Sequence, residues 1–393
     1  MSKGSRIVWW IIALLVIVGV IYYLSNLNEG APVGMKLDQP LKIGGIVPLT
    51  GDGAAYGIPI QRAAEIAVSE INAAGGVGGQ PVSILWEDGK CDGKEATIAA
   101  QKLVNVNRVP FMIAGVCSSE ALSIVPIAEP SKVITISPAA TSPDLNQPTD
   151  TVTYDYFFRL SPSDAAAGKI ASDYASGKLG VKKAAIISEK KDYAQALHRV
   201  FKENFTASGG TIVAEESYQT GATDFRTQIL KIKVANPEII YIVPQTPAPG
   251  VLILKQLKEN QVITQLMTAE VLIGRDVVKE NGALMEGLIG IEQYFDEKAE
   301  RAQAFLKKYK ETYNEEPPFP GFMANTHATL AMIKESVEAN GLDAEKNRVW
   351  FSAVKDWPST AGLITFNELG DPISSYIIHR VSEEKLTDVE IVK

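Results

Sequence analysis

The sequence predicts an α/β fold arranged as two doubly wound, parallel-sheet lobes. Three observations predict it. Short β-rich runs alternate with amphipathic helical stretches, the pattern of parallel strands joined by crossover helices. The alternation runs through once, pauses around Phe157 to Pro162, and then runs through again. About 350 residues follow the N-terminal segment, too many for one hydrophobic core and suited to two.

The chain opens with a different element. Ile7 to Leu24 is an almost unbroken apolar run without a charge, preceded by Lys3 and Arg6. This fits a membrane-spanning helix whose basic end stays in the cytoplasm. Trp9, Trp10, Tyr22 and Tyr23 mark its two ends, where amphipathic rings settle at the membrane interface. A cleaved signal peptide is the competing reading, but no small-x-small cleavage site follows the run and no cysteine there offers a lipid attachment point. The expected order is a cytoplasmic tip at 1–6, an anchor at 7–24 and a polar linker at 25–40, with the remainder exported.

The first series of strands and helices reads LKIGGIVPL, a helix over Ile60 to Ala73, VSILWED, a helix over Lys94 to Val106, PFMIAGV, a helix after Ser119, and VITISP. The second reads AAIISEK, a helix from Tyr193 to Ala207, TIVAEESY, a helix from Phe225 to Ala235, EIIYIVPQ, a helix from Gly250 to Asn260, and QLMTAEV. Later elements are GLIGIEQY, helices over Glu297 to Thr312 and Asn325 to Asn340, and strands at Gly362 to Phe366 and Ser374 to Arg380. They follow two lobes already built, so the chain crosses between lobes more than once.

Composition and motifs exclude several functions. A net charge of −8 argues against nucleic acid as a partner, because phosphate binding needs a basic surface. The run GDGAAYG near Gly51 lacks the Gly-Lys-Ser/Thr ending of a phosphate loop, and its glycines do not fit the dinucleotide fingerprint. There is no Gly-x-Ser-x-Gly elbow and no His-Glu-x-x-His helix, and His198, His327 and His379 are widely scattered. No metal and no cofactor are expected.

The run Cys117-Ser118-Ser119-Glu120 stands where strand FMIAGV gives way to a helix. Such a strand end offers hydroxyls, orphan N–H groups and a partial positive charge to an anion, although two serines there can also serve simply as helix caps. In an exported chain, Cys91 and Cys117 are expected to form a disulfide. It would close a loop of about 26 residues and stabilise the fold by about 3 kcal/mol. The rival reading makes Cys117 a nucleophile, because a helix N-terminus lowers a thiol pKa.

Several of these segments together carry a resemblance: KIGGIVPLTGDGAAYG, AEIAVSEINAAGGVGGQPVSILWED, the two cysteines with Ser118 and Ser119, SPAATSPDL at Ser137 to Leu145, and NELGD at Asn367 to Asp371. From about Lys42 to Arg380 the chain resembles the branched-chain (leucine/isoleucine/valine) amino-acid-binding proteins of ABC importers. The resemblance implies a type I periplasmic-binding-protein fold, two lobes joined by three crossovers that close on a ligand by a hinge. We expect lobe 1 at 41–160 with 288–355, and lobe 2 at 161–287 with 356–393.

By resemblance, Ser118 meets the ligand carboxylate, with further contacts from Ala139 and Thr141 and, secondarily, Ser119 and Ala140. Glu270 is the expected counter-charge to the ligand ammonium, Tyr193 the tyrosine at the cleft and Tyr56 the aromatic bordering the side-chain pocket. Two departures stand out. Ala194 follows the cleft tyrosine where a glycine is usual, and Gln245 and Thr246 stand where an aromatic often follows the strand, so either can contact a ligand side chain. Asp164 is a candidate for the cleft or for a helix N-cap.

The implied role is extracytoplasmic capture of an amino acid, branched-chain or related, and delivery to an ABC permease, without chemistry. A sensing ectodomain of the same fold and, more remotely, a Cys117-dependent enzyme are the alternatives.

Overall fold

The computed structural model describes residues 36–146 and 154–392. The anchor expected at 7–24, the tip before it and most of the linker lie outside the described residues. Among the described residues no helix is long and apolar enough to cross a membrane.

Two sheets form the two lobes. The first contains β1 (Leu41–Val47), β2 (Val82–Asp88), β3 (Phe111–Ala114), β4 (Ile134–Ser137) and β5 (Phe157–Arg159), all parallel, in the order β2-β1-β3-β4-β5. Its helices are α1 (Ala54–Ala73), α2 (Gly93–Gln101) and α3 (Ser118–Ala128). The central strands are buried end to end, which is why they read as unbroken apolar runs rather than alternating ones.

The second sheet takes β6 (Lys183–Glu189), β7 (Thr211–Tyr218), β8 (Ile239–Val243), β9 (Gln265–Ala269) and β10 (Ile289–Gln293) as parallel strands. Its helices are α4 (Asp164–Asp173), α5 (Asp192–Ala207), α6 (Arg226–Ala235), α7 (Pro247–Glu259) and α8 (Arg275–Met285). After α9 (Glu300–Tyr313), α10 (Pro320–Asn340), α11 (Ala344–Ser352) and the small hairpin β11 (Trp357–Ser359) and β12 (Gly362–Ile364), the chain returns with β13 (Tyr376–Ser382) and β14 (Lys385–Val392). These two add antiparallel to the edge at β10, giving β14-β13-β10-β9-β8-β6-β7.

Both sheets reverse their strand order at one place, between β1 and β3 and between β6 and β8. A ligand crevice opens outside the strand carboxyl ends at such a switch point. Each lobe therefore brings one such crevice to a shared cleft.

The lobe boundaries differ from expectation in two places. Ile289–Gln293, expected in lobe 1, pairs with β9 and β13 in the second sheet. Ile364 and Phe366, expected in lobe 2, pack in the first lobe's core, with Phe158 5.2 Å from Phe351 and 5.3 Å from Phe366 between ring centroids. The crossovers fall at about 160–163, 294–299 and 367–375, and α10 packs along α1 in lobe 1. The physical reason is that an apolar strand such as GLIGIEQY satisfies either sheet, and only tertiary pairing decides.

Cys91 and Cys117 are joined, their Cα atoms 5.3 Å apart. With its sulfur engaged, Cys117 is not a free nucleophile, and the reading that made it one loses its reactive group. Lys90 and Cys91 both sit at positive φ, a left-handed turn that L side chains adopt at a penalty and that surrounding contacts must hold. The bridge is one such contact. Glu120 is the other: its carboxylate accepts the backbone N–H groups of Cys91 (3.0 Å), Val116 (3.0 Å) and Cys117 (3.1 Å). We expect a thiol titration of denatured, unreduced protein to find none, and two after reduction, with reduction lowering the unfolding midpoint by about 3 kcal/mol worth of stability. Two thiols before reduction would contradict the bridge.

The buried pair Arg159 and Asp371 gives the NELGD segment its structural role. Arg159 is 0 % exposed, and its Nε and Nη2 donate to the two Asp371 carboxylate oxygens at 2.5 and 3.0 Å. Its Nη1 donates to the Ser142 carbonyl, and Asn146 donates to Asp371 as well. This cluster ties the strand before the first crossover to the segment of the third. Gly57 marks another close approach: a Cβ there would lie 1.7 Å from the Pro48 carbonyl oxygen, so only glycine lets α1 start directly over the end of β1.

Candidate functional site: the interlobe cleft

A small cavity lies between the lobes. It is lined by Tyr56, Val116, Cys117, Ser118, Ala139, Thr141 and Phe322 from lobe 1, and by Tyr193, Gln245, Glu270 and Val271 from lobe 2. The space open to the centre of a water molecule is about 30 Å³, and roughly 10–15 Å³ is enough for one water. The lobes are therefore nearly shut on it.

Each wall is set by strand ends. In lobe 1, Ser118 opens α3, at the positive end of the helix. The Ser118 Oγ accepts from the Ser142 N–H at 3.1 Å, which leaves its own proton free to donate. After β4, the Ser137 hydroxyl donates to the Gly115 carbonyl and accepts the Ala140 N–H, fixing the turn that carries Ala139 and Thr141. The Thr141 hydroxyl lies 2.8 Å from Asp164 Oδ2.

In lobe 2, Tyr193 stands in the first turn of α5, Gln245 follows β8 and Glu270 follows β9. The Gln245 backbone N–H donates to Glu189, whose other carboxylate oxygen accepts the Thr220 hydroxyl. Tyr56, from lobe 1, reaches across: its hydroxyl donates to the Val271 carbonyl at 3.5 Å, and its ring lies 4.7 Å from that of Phe319.

Of the expected residues, Tyr56, Ser118, Ala139, Thr141, Tyr193, Glu270 and Gln245 share this one cavity. Four others do not line it. Ser119 and Ala140 are buried behind the wall. Thr246 is the N-cap position of α7. Asp164 is not an N-cap, because Ser163 holds that position and accepts the Ala165 N–H; Asp164 lies in the first turn of α4 and backs Thr141. The expectation missed Phe322, Val116 and Val271, the last of which directly follows Glu270. The first had a signal in Phe319-Pro320-Gly321-Phe322, an aromatic pair around a helix start; Val116 had none beyond its place beside Cys117.

Charge in the cleft is concentrated on carboxyl groups. Burial pushes Glu270 up to about 7, its own backbone N–H and the adjacent Tyr193 hydroxyl pull it back, and Glu292 adds to the rise. Burial and the charge of Glu270 push Asp164 well above the usual carboxylate range, against the Thr141 hydroxyl and Arg159. Glu120 is likewise raised to about 7, by burial against three backbone N–H bonds. Three side-chain atoms at or beside the cleft lack a hydrogen-bond partner: Ser119 Oγ, Tyr193 Oη and Gln245 Oε1.

Raised carboxyl pKa values fix a pH dependence. Between the ordinary value of 4.5 and about 7, folded Glu120 and Glu270 hold protons that the unfolded chain has released. Their stabilisation is complete below the unfolded pKa and is lost as pH rises through the folded one. His379, raised by Glu292 and Asp388 against its burial, acts in the same direction. The empty protein is expected to lose stability from pH 5.5 to 8, by about 1 to 3 kcal/mol in urea unfolding. A midpoint that holds or rises over that range would contradict these environments.

Two ion pairs bridge the lobes at the rim. Lys191 Nζ of lobe 2 lies 3.3 Å from the Cys91 carbonyl oxygen and 3.4 Å from Asp92 Oδ2 of lobe 1, and Arg199 Nη2 lies 2.6 Å from Asp144 Oδ1. Exposed pairs of this kind contribute about 0–1 kcal/mol each. They are specific to the closed arrangement.

The sequence model of a family described as periplasmic binding protein matches residues 40–385. The chain belongs to the periplasmic binding protein family. Among its relatives, Leu/Ile/Val-binding protein homolog 3 of Brucella melitensis is 27% identical over 372 residues, covering 93% of this chain and 99% of that one. The branched-chain amino acid transporter substrate binding protein of Streptococcus pneumoniae, solved with isoleucine, superposes with a TM-score of 0.80 at 27% identity over 90% of this chain and 100% of that one. A leucine binding protein of Thermotoga maritima gives a TM-score of 0.80 at 25% identity over 90% and 99% of the two chains. The type I periplasmic-binding architecture, two α/β lobes with a cleft between them, is thus shared with relatives named for leucine, isoleucine and valine.

Proposed function

We propose that this protein is an extracytoplasmic solute-binding protein that captures an amino acid between its lobes and delivers it to an ABC importer. The observation that carries the reading is the polarity of the cleft. One wall presents the Ser118 hydroxyl and the positive end of α3, and the opposite wall presents the Glu270 carboxylate, across the cleft. A zwitterion matches that arrangement: carboxylate to Ser118 and the helix end, ammonium to Glu270 and the Ala139 carbonyl.

Asp164 backs Thr141. The Thr141 hydroxyl donates to its Oδ2 at 2.8 Å, which fixes the threonine side chain and leaves its oxygen to accept from the ligand. Tyr193 adds a hydroxyl at the Glu270 end, and Tyr56 borders the ligand side chain. Binding and closure make and break no covalent bond. The relatives named for branched-chain amino acids support this substrate class, and the apolar run at 7–24 supports attachment of the protein to the membrane in which a permease would sit.

Thermal unfolding scanned against the twenty amino acids, urea and short amides tests the reading. A ligand present at a thousand times its dissociation constant adds about 4 kcal/mol, a shift of several degrees in a chain of this length. A shift with a related group of amino acids is expected. No shift with any amino acid would overturn the assignment.

A further inference from the structure

We infer that the Gln245 amide reads a hydrogen-bonding group on the side chain of the bound amino acid, so that the cleft prefers a hydroxyl-bearing side chain to its aliphatic isostere. The inference rests on the amino-acid reading above. Once the ligand's α-carboxylate and α-ammonium are placed against Ser118, Thr141, Ala139, Glu270 and the Tyr193 hydroxyl beside it, the lining left for its side chain is Tyr56, Val116, Val271, Phe322, Gln245 and the disulfide-bonded Cys117. Five of those are apolar or already engaged, since the Tyr56 hydroxyl donates to the Val271 carbonyl and the Cys117 sulfur is bonded to Cys91.

Gln245 is the exception. It is 6 % exposed, its Oε1 has no hydrogen-bond partner, and its backbone is pinned by Glu189 so that the side chain is presented to the cavity. A buried amide left unpaired is destabilising, and closure around an aliphatic side chain would leave it so. A ligand hydroxyl both donates to Oε1 and can accept from the amide nitrogen. A site built to hydrogen-bond its substrate rejects the analogue lacking that group far better than an apolar pocket rejects an added hydroxyl.

L-threonine and L-valine have the same shape and differ by a hydroxyl for a methyl, so they isolate the effect. Calorimetric titration of the full-length chain is expected to show threonine bound more tightly than valine by about ten-fold or more. Gln245→Leu is expected to reverse that order while both ligands still bind, because the contacts to the α-groups are untouched. Valine bound as tightly as threonine by the wild-type protein would overturn the inference and leave the amino-acid reading standing. A threonine preference that survives in Gln245→Leu would overturn it too. Binding of no amino acid would overturn both. The wild-type comparison does not depend on the variant folding.

Discussion

Glu270→Gln is expected to weaken amino-acid binding by about 3 kcal/mol, roughly a hundred-fold, because the ligand ammonium would be desolvated in the cleft without its counter-charge. The substitution preserves shape, so the loss reports charge rather than packing. It carries a second signature of opposite sign. With its carboxyl raised to about 7 by burial, Glu270 is a charged liability in the empty protein at pH 8. The variant should therefore unfold at a higher urea concentration than wild type at pH 8, while binding less well. Calorimetry and urea unfolding on the same preparation check both signs. Unchanged affinity would remove Glu270 from the site, and loss of both affinity and stability would reassign it to a purely structural role.

Asp371→Ala is expected to destabilise the fold by about 3–5 kcal/mol, because it strands the fully buried Arg159 guanidinium without a partner. Asn146 loses a partner in the same change. The exposed pair Arg199 and Asp144 provides the contrast: Asp144→Ala should alter stability by less than about 1 kcal/mol. Denaturant unfolding of the two variants separates these cases. If Asp371→Ala costs under about 1 kcal/mol, the buried pair is not the tie between crossover segments inferred here.

The strands of both lobes were legible in the sequence where burial on two faces leaves an apolar run, as in IGGIV and IIYIV. The edge strand β14 was not, because KLTDVEIV lies half exposed and carries charge on its open face. The short helices α8 and α11 were hidden for the same reason: RDVVKENGALM and AEKNRVWFS each bury only a few side chains. Which sheet takes Ile289–Gln293 is a tertiary choice that no local pattern encodes.

In the cleft, the Ser118 position could be read from a strand end running into a helix start, and the opposed Glu270 and Tyr193 only through resemblance, because 152 residues and a second lobe separate Glu270 from Ser118. Glu120 stands in the first turn of α3, where an acidic residue is ordinary. Its role in gathering three backbone N–H groups from two loops depends on the Cys91 turn lying beside it, which is visible only in three dimensions. Asp164 was misread for a comparable reason: Ser-Pro-Ser-Asp offers two good capping residues in a row, and the structure uses Ser163.

A crystal structure of the protein with the amino acid that gives the largest thermal shift would place the ligand directly. The expected density is one amino acid between the lobes, its carboxylate at the Ser118 hydroxyl and the α3 N-terminus, and its ammonium at Glu270 and the Ala139 carbonyl. Lobes shut on an empty cleft with the amino acid bound elsewhere, or a ligand seated with its carboxylate toward Glu270, would contradict the account.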